Sequence, residues 1–516
     1  MPNRSSDTLF QLIKSLEKSE KRNFKLYMKR NSGSEELKSI QLFDALDKME
    51  EYDEAQLLKK NKNLLKQQLS NAKAHLYREI LNSLRLIRND ENIDIQLHEQ
   101  LDFARILYNK GLYLQSLKTL DKIKENARAR NQVTFLLQIL FFEKTIESLH
   151  ITRSMQDRAD QLATEVDEVN DRLQSISQLS NLSLELYSWY IRNGVARNEK
   201  DEVAVQEFFE RNLPADVTGC EGFYEKLYLY QSYSWYAYIR QDFLNYYRYT
   251  QKWVDLFEKE PYMLAIETSQ YIKGMHNLLG AHFDLLNDQK FRETIKQFED
   301  FSESDIVRNN VNNRIQTFVY LYISKLNQHF IDGTFTEGLG LVPYIEDKLK
   351  EYWIYLDRHR ILVFYYKIAC LFFGSGDYEQ TIVYLNRIIN LKMDLRTDLQ
   401  CYSRLLHLIA HYELGNFSLL EYLTKSVYRF MAKMENLSLV EEEIFKFLRK
   451  SFNVTPDRLR PEFEKLVEKL KKYEKNRFET RAFVYLDIIS WLESKIQNVP
   501  VQDVIREKYL NGKRRG

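Results

Sequence analysis

The chain has 516 residues, with 75 Lys or Arg against 74 Asp or Glu, a formal net charge of +1. That balance offers no overall field to select nucleic acid, an anionic membrane or a basic partner. Only 15 glycines and 7 prolines are present, about 4% of the chain where globular proteins carry about 12%. So few breakers exclude a β-sandwich, a doubly wound sheet or a long linker, and leave long helices joined by short connections.

At 44% hydrophobic residues there is ample apolar surface, but the length exceeds the roughly 250–300 residues at which a single core stops growing. Several domains or one elongated array follow. Cys220, Cys370 and Cys401 are odd in number and widely spaced, without a Cys-x-x-Cys pair, which argues against a disulfide framework and a structural zinc site and for a reducing compartment. No apolar run reaches the roughly 18–20 residues that span a bilayer, and the N-terminus lacks a signal-like apolar stretch. A soluble, cytoplasmic protein is expected, without membrane contact.

Charge is uneven along the chain: +5 over residues 1–90, −9 over 91–450 and +5 over 451–516. These divisions define an N-terminal helical module at 1–90, a repeat region at 91–450, and C-terminal capping helices with a basic tail at 451–516. In the first segment Leu9, Leu12, Ile13 and Leu16 form a stripe at helical spacing, Ser34 precedes a second stripe as its N-cap, and Asp53 with Gln56 resembles a capping box. Leu65, Leu69, Ala72, Leu76, Ile80, Leu84 and Ile87 then predict one long helix. Lys18, Arg22, Lys25 and Lys29 step by four, three and four residues, a basic helix face that could track phosphates, with Lys513, Arg514 and Arg515 as a second small cluster. The simpler reading of such a face is solvated surface, and no helix-turn-helix phrase accompanies it.

From residue 108 a local phrase recurs: YNKGLYLQSLKTLD at 108–121, FFGSGDYEQTIVYL at 372–385 and HYELGNFSLLEYLT at 411–424. An apolar helix ends at Gly, an aromatic follows two residues later, and a second apolar-periodic helix begins. Degenerate copies place Phe243, Phe291 and Phe335 beside Tyr113, Tyr378 and Phe417, a period near 43. Helical pairs of this kind bury their apolar faces only by stacking on one another. With Ala369, Gly376-Asp377-Tyr378, Leu385 and Ile388, and with Ala104, Gly111, Tyr113, Ser116, Leu120 and Ile123, the region resembles the tetratricopeptide (TPR) repeat family, at a longer period than that family's usual 34. The resemblance implies an all-α fold, a right-handed α-solenoid of about eight helical hairpins preceded by the N-terminal module.

The resemblance also implies a concave groove that holds a peptide or a partner protein. By position relative to the turn, that face would present Arg105, Tyr108 and Asn109 from the first repeat and Tyr228, Gln231, Trp235 and Tyr238 from the fourth. Thirteen aromatic residues lie between Phe223 and Trp253, and Tyr and Trp give large contact area at low entropic cost. Packing between long helices explains the same rings equally simply. His407 and His411 share a helix face but lack the Glu of a catalytic zinc motif. Gly338-Leu339-Gly340 and Gly374-Ser375-Gly376 follow no strand and read as turn or packing glycines. No nucleophile elbow, metal cluster or cofactor motif appears, so the sequence points to a non-enzymatic interaction scaffold without cofactor, with a nucleic-acid-associated regulator using the basic N-terminal helices as the alternative.

Overall fold

The computed structural model describes residues 7–30, 34–60, 66–87, 92–150, 157–217, 219–391, 397–434, 438–451, 456–474, 476–479 and 487–512. Regular structure among them is helical, with no strand. Two compact units divide the chain between Val166 and Asp167, inside the helix Arg158–Asn193.

In the first unit five helices run from Thr8 to Ile87. The stripe of Leu9, Ile13 and Leu16 meets Phe24, Phe43, Leu46, Leu69, Leu76 and Ile80 in one core. Asp7 caps the first helix by accepting from the Phe10 N–H, and Asp53 accepts from Gln56 N–H at 3.1 Å, as the capping signal predicts. Leu65, the 513–515 cluster and the expected boundary between residues 90 and 91 lie outside the described residues. Three further helices, Ile93–Asn109, Tyr113–Ala129 and Val133–His150, pack in succession around Leu101, Ala104, Leu120, Ile139 and Leu140.

The second unit is a run of helical pairs. Phe223–Ile239 packs on Phe243–Lys259, Thr268–Asp284 on Asp288–Ser302, Arg358–Ser375 on Tyr378–Ile389, and Thr397–Glu413 on Phe417–Lys433. Thr268–Asp284 also packs on Val311–Asp332, which packs on Arg358–Ser375. The connections explain the recurring phrase. Gly376 takes the left-handed conformation (φ 87°) that ends one helix, and Asp377 accepts from the Gln380 N–H at 3.0 Å to start the next at Tyr378. Gln241 and Leu286 adopt the same left-handed geometry at φ 58° and 52°, followed by the caps Asp242 and Asn287. The turn therefore persists where glycine is replaced, held by the Asx cap.

Past Leu439–Ser451 and Pro456–Lys471 the chain turns back. Ile488–Gln497 packs on Pro456–Lys471, and Val501–Leu510 lies against Val311–Asp332 and Arg358–Ser375. Thr336 Oγ1 donates to Gln502 at 2.8 Å, Arg506 to the Asp332 carbonyl at 3.1 Å, and Tyr509 to Asp288 at 2.9 Å. Gly333 permits this approach: its φ is +68°, and a Cβ there would stand 2.5 Å from the Arg506 backbone nitrogen. Gly333→Ala is expected to cost about 1–3 kcal/mol, from left-handed strain and displaced backbone. Urea unfolding read by tryptophan fluorescence reports this unit alone, because all five tryptophans lie in it; an unchanged midpoint would discard the close-approach argument.

Candidate ligand cavity

Helices of the second unit carry residues at three- and four-residue steps toward one shared cavity. Lys273, His276, Asn277, Gly280 and Asp284 share one face of Thr268–Asp284; Tyr320, Ile323, Asn327 and Phe330 share one of Val311–Asp332; Arg360, Val363, Lys367, Cys370 and Gly374 share one of Arg358–Ser375. Tyr187, Tyr190, Trp235 and Tyr238 continue the wall, and Val501, Ile505 and Lys508 of the returning helix add to it. The volume is about 670 Å³, within the range of small-ligand sites.

Rings line the end nearest Trp235. Tyr187 lies 4.9 Å from Trp235, and Tyr190 stacks on it at 5.5 Å. The Lys273 ammonium sits over the Tyr187 ring at 4.8 Å and the Trp235 ring at 5.5 Å. Burial lowers its pKa from the ordinary value, and the Arg360 charge lowers it further. His276 stacks on Tyr320 at 4.4 Å, and its Nδ1 has no hydrogen-bond partner among the described residues. Burial first, then Lys367, Lys273 and Arg360, push that imidazole down to about 3, so it is neutral.

Lys367 donates to the Asn327 side-chain oxygen at 2.5 Å. Burial brings its ammonium down to about 8, against the opposing influence of Cys370 and Asp284. Arg360 has Asp357 at 3.5 Å, a carboxylate that also caps its own helix. The Cys370 thiol is pushed up to about 12 by burial, the opposite of what a nucleophile needs. Lys273, His276 and Lys367 are each half-buried in the cavity wall.

The residues expected on a concave face fall in different places. Trp235 and Tyr238 line the cavity. Gln231 is buried and spent on its neighbours, donating to Gln270 at 2.8 Å and accepting from Ser183 at 3.3 Å, and Tyr228 is half-buried beside Tyr224. Arg105, Tyr108 and Asn109 belong to the first unit. There Arg105 is exposed and paired with Asp102 at 3.3 Å, Tyr108 packs among Tyr113, Phe142 and His150, and Asn109 is exposed at a helix end.

On the basic helix Lys18–Arg30, Lys18, Arg22 and Lys29 are exposed, whereas Lys25 pairs with Asp44 at 2.6 Å. His407 and His411 pack edge to face, with burial pushing His407 down to about 4. Among the described residues no group of three His, Cys, Asp or Glu is arranged to hold a metal, and no helix is long and apolar enough to cross a membrane.

Sequence reasoning passed over Lys273, His276, Arg360 and Lys367. Lys273 and Lys367 are isolated cations within apolar helical stretches, TSQYIKGMHNLLG and ILVFYYKIACLFF, and they fall in the register of the buried stripe's edge. That register was the available signal. Comparison with family models, with curated protein sequences and with solved structures gives no match.

Proposed function

We propose that this chain is a non-enzymatic, cytoplasmic binding protein: a right-handed α-solenoid of about eight TPR-like hairpins, with period near 43, that takes a peptide or a segment of a partner protein on its concave face. The observation that carries this reading is the convergence of successive helices on one ring-lined cavity containing Trp235 and Tyr238. The left-handed residue followed by an Asx cap supports the repeat, because it gives three of the hairpins, at Gln241-Asp242, Leu286-Asn287 and Gly376-Asp377, the same connection.

Size limits what enters. One helical turn with its side chains fills a cylinder about 10 Å across and 5.4 Å long, roughly 420 Å³, so 670 Å³ takes a few residues and not a long helix. The returning helix Val501–Leu510 occupies part of the remaining inner surface.

The test is affinity capture of the full chain from its native cell, with and without nuclease, beside the Trp235→Ala/Tyr238→Ala variant. A nuclease-resistant protein partner lost by about ten-fold or more in the variant, at unchanged far-ultraviolet circular dichroism, is the expected result. Retention of that partner by the variant discards the cavity as its site. Recovery of nucleic acid, lost on changing the exposed Lys18, Arg22 and Lys29, would move function to the N-terminal helices.

A further inference from the structure

We propose that the cavity is a binding site for a small organic anion with a flat ring, a phosphate or carboxylate held by Lys273, Arg360 and Lys367 while Trp235 and Tyr320 pack against its ring. This rests on the cavity being the ligand-binding part of the concave face, and adds the chemical class of ligand.

Positive charge in the cavity wall is incompletely compensated. Three cations from two helices converge near His276, a neutral imidazole whose Nδ1 is unbonded among the described residues. Lys273 has ring faces as its neighbours, and no described carboxylate lies within ion-pair distance of it. Lys367 is held by an amide oxygen, which satisfies one donor and neutralises no charge. Arg360 alone has a carboxylate, at a long 3.5 Å, and that carboxylate is shared with a helix cap.

Of the other acids of the wall, none acts on Lys273. Asp487 accepts from the Ser490 N–H at 3.0 Å as a cap, Glu474 faces Lys471 and Lys508, Asp284 partly offsets the charge of Lys367, and Lys508 is already paired with Glu493 at 2.6 Å. Burying cations without counterions is costly, and the cost falls when an anion enters. Charge-assisted hydrogen bonds from ammonium and guanidinium groups to an oxyanion are the strong kind, and they gain strength where water is scarce.

The ring follows from the surroundings. Trp235 and Tyr320 line the same cavity as the cations, at 5.5 Å from Lys273 and 5.9 Å from Arg360 respectively. A bare inorganic anion would leave uncovered the part of these rings that lines the cavity, whereas a ring-bearing one packs against it.

The test uses the full chain and three probes: phenyl phosphate, phenol and inorganic phosphate, titrated by calorimetry and by thermal shift. Phenyl phosphate is expected to bind at least about ten-fold more tightly than either fragment. Lys273→Met should weaken phenyl phosphate by about ten-fold or more and leave phenol unchanged, while Trp235→Ala weakens both. Lys273→Met should also raise the melting temperature of the unliganded protein, because a length-matched apolar chain replaces a half-buried ammonium that has no carboxylate within ion-pair distance among the described residues; a purely structural lysine would give a fall.

Phenyl phosphate binding no better than phenol, or indifferent to Lys273→Met, overturns the inference. If phenol binds and Trp235→Ala removes it, the cavity reading survives that failure. If no probe binds and partner capture is also indifferent to Trp235→Ala/Tyr238→Ala, both readings fail together.

Discussion

Glu143→Ala is expected to destabilise the first unit by about 3–5 kcal/mol, the loss associated with stranding a buried charge. Glu143 is 0% exposed and sits between two cations. Lys124 donates to it at 2.9 Å, and the Arg158 guanidinium reaches its other oxygen. Glu165 completes the group, 3.2 Å from Lys124 and 2.6 Å from Arg128. Removing Glu143 leaves Lys124, at 8% side-chain exposure, and Arg158 to share Glu165 in a poorly hydrated site. Glu143→Gln keeps the shape and part of the hydrogen bonding, so it should cost less. In Lys124→Met/Glu143→Leu, apolar packing replaces the pair and part of the loss should return. The first unit contains no tryptophan, so hydrogen exchange across Tyr113–Ala129 and Val133–His150 is the suitable measurement. Protection unchanged in Glu143→Ala would show that this network adds no stability.

The same cluster sets a pH dependence. Burial alone would raise the Glu165 pKa, but Lys124, Arg128 and Arg158 together hold it below its ordinary 4.5. Burial lowers the Lys124 ammonium against the pull of Glu165, so the two partners shift in the same downward direction for opposite reasons. Glu165 is the clearer reporter, since three cations favour its charged form. A carboxylate with a depressed folded pKa contributes stability that is present above its unfolded pKa and lost as pH falls through the folded one. The first unit should therefore weaken as pH falls below about 4.5, and Glu165→Gln should flatten that acid limb.

Legibility in the sequence followed the range of the interactions. Helix starts with local chemistry could be read: Asp53 with Gln56, and Gly376-Asp377-Tyr378, use atoms within four residues of one another. Asn131 is a left-handed turn residue too, at φ 56°, but without the Gly-to-aromatic phrase it gave no sign of the helix break before Val133. The 36-residue length of Arg158–Asn193 was likewise invisible, because nothing local distinguishes a continuing helix from two short ones when no Gly or Pro intervenes.

Among the site residues, Trp235 and Tyr238 were accessible because a repeat register places them on an inner face. Lys273, Arg360 and Lys367 were not, since their meaning comes from three-dimensional convergence of residues as far as 94 positions apart, from 273 to 367. Glu143 in VTFLLQILFFEKTIESLH had the same character: Leu136, Ile139, Leu140, Glu143 and Ile146 share one stripe, and an acid on that stripe marks a buried partner whose identity the stripe cannot supply. The return of Val501–Leu510 to the middle of the unit depends on contacts more than 160 residues distant, such as Thr336 with Gln502, and no periodicity encodes it.

That return makes Trp491→Ala the second large effect, about 3–5 kcal/mol from loss of a buried aromatic side chain. Trp491 is 0% exposed, edge-on to Tyr412 at 6.2 Å and to Phe463 at 6.3 Å. Its indole N–H donates to Glu413 at 2.5 Å, and Lys495, one turn further along the same helix, ion-pairs with that carboxylate. Alanine removes the ring and its N–H donor, leaving Glu413, at 4% side-chain exposure, with Lys495 and the Tyr378 hydroxyl. Trp491→Phe keeps most of the packing and removes the donor, so its smaller loss, about 1–3 kcal/mol, isolates the hydrogen bond to a charged acceptor. The consequence for binding comes through the chain. Ile488–Gln497 leads directly into Val501–Leu510, whose Val501, Ile505 and Lys508 wall the cavity. Loosening the first helix should therefore lower hydrogen-exchange protection in the second and weaken any ligand held against it, while the Phe243–Lys259 helix keeps its protection. If Val501–Leu510 stays fully protected in Trp491→Ala, its docking on Val311–Asp332 and Arg358–Ser375 is self-sufficient and the cavity wall does not depend on this anchor.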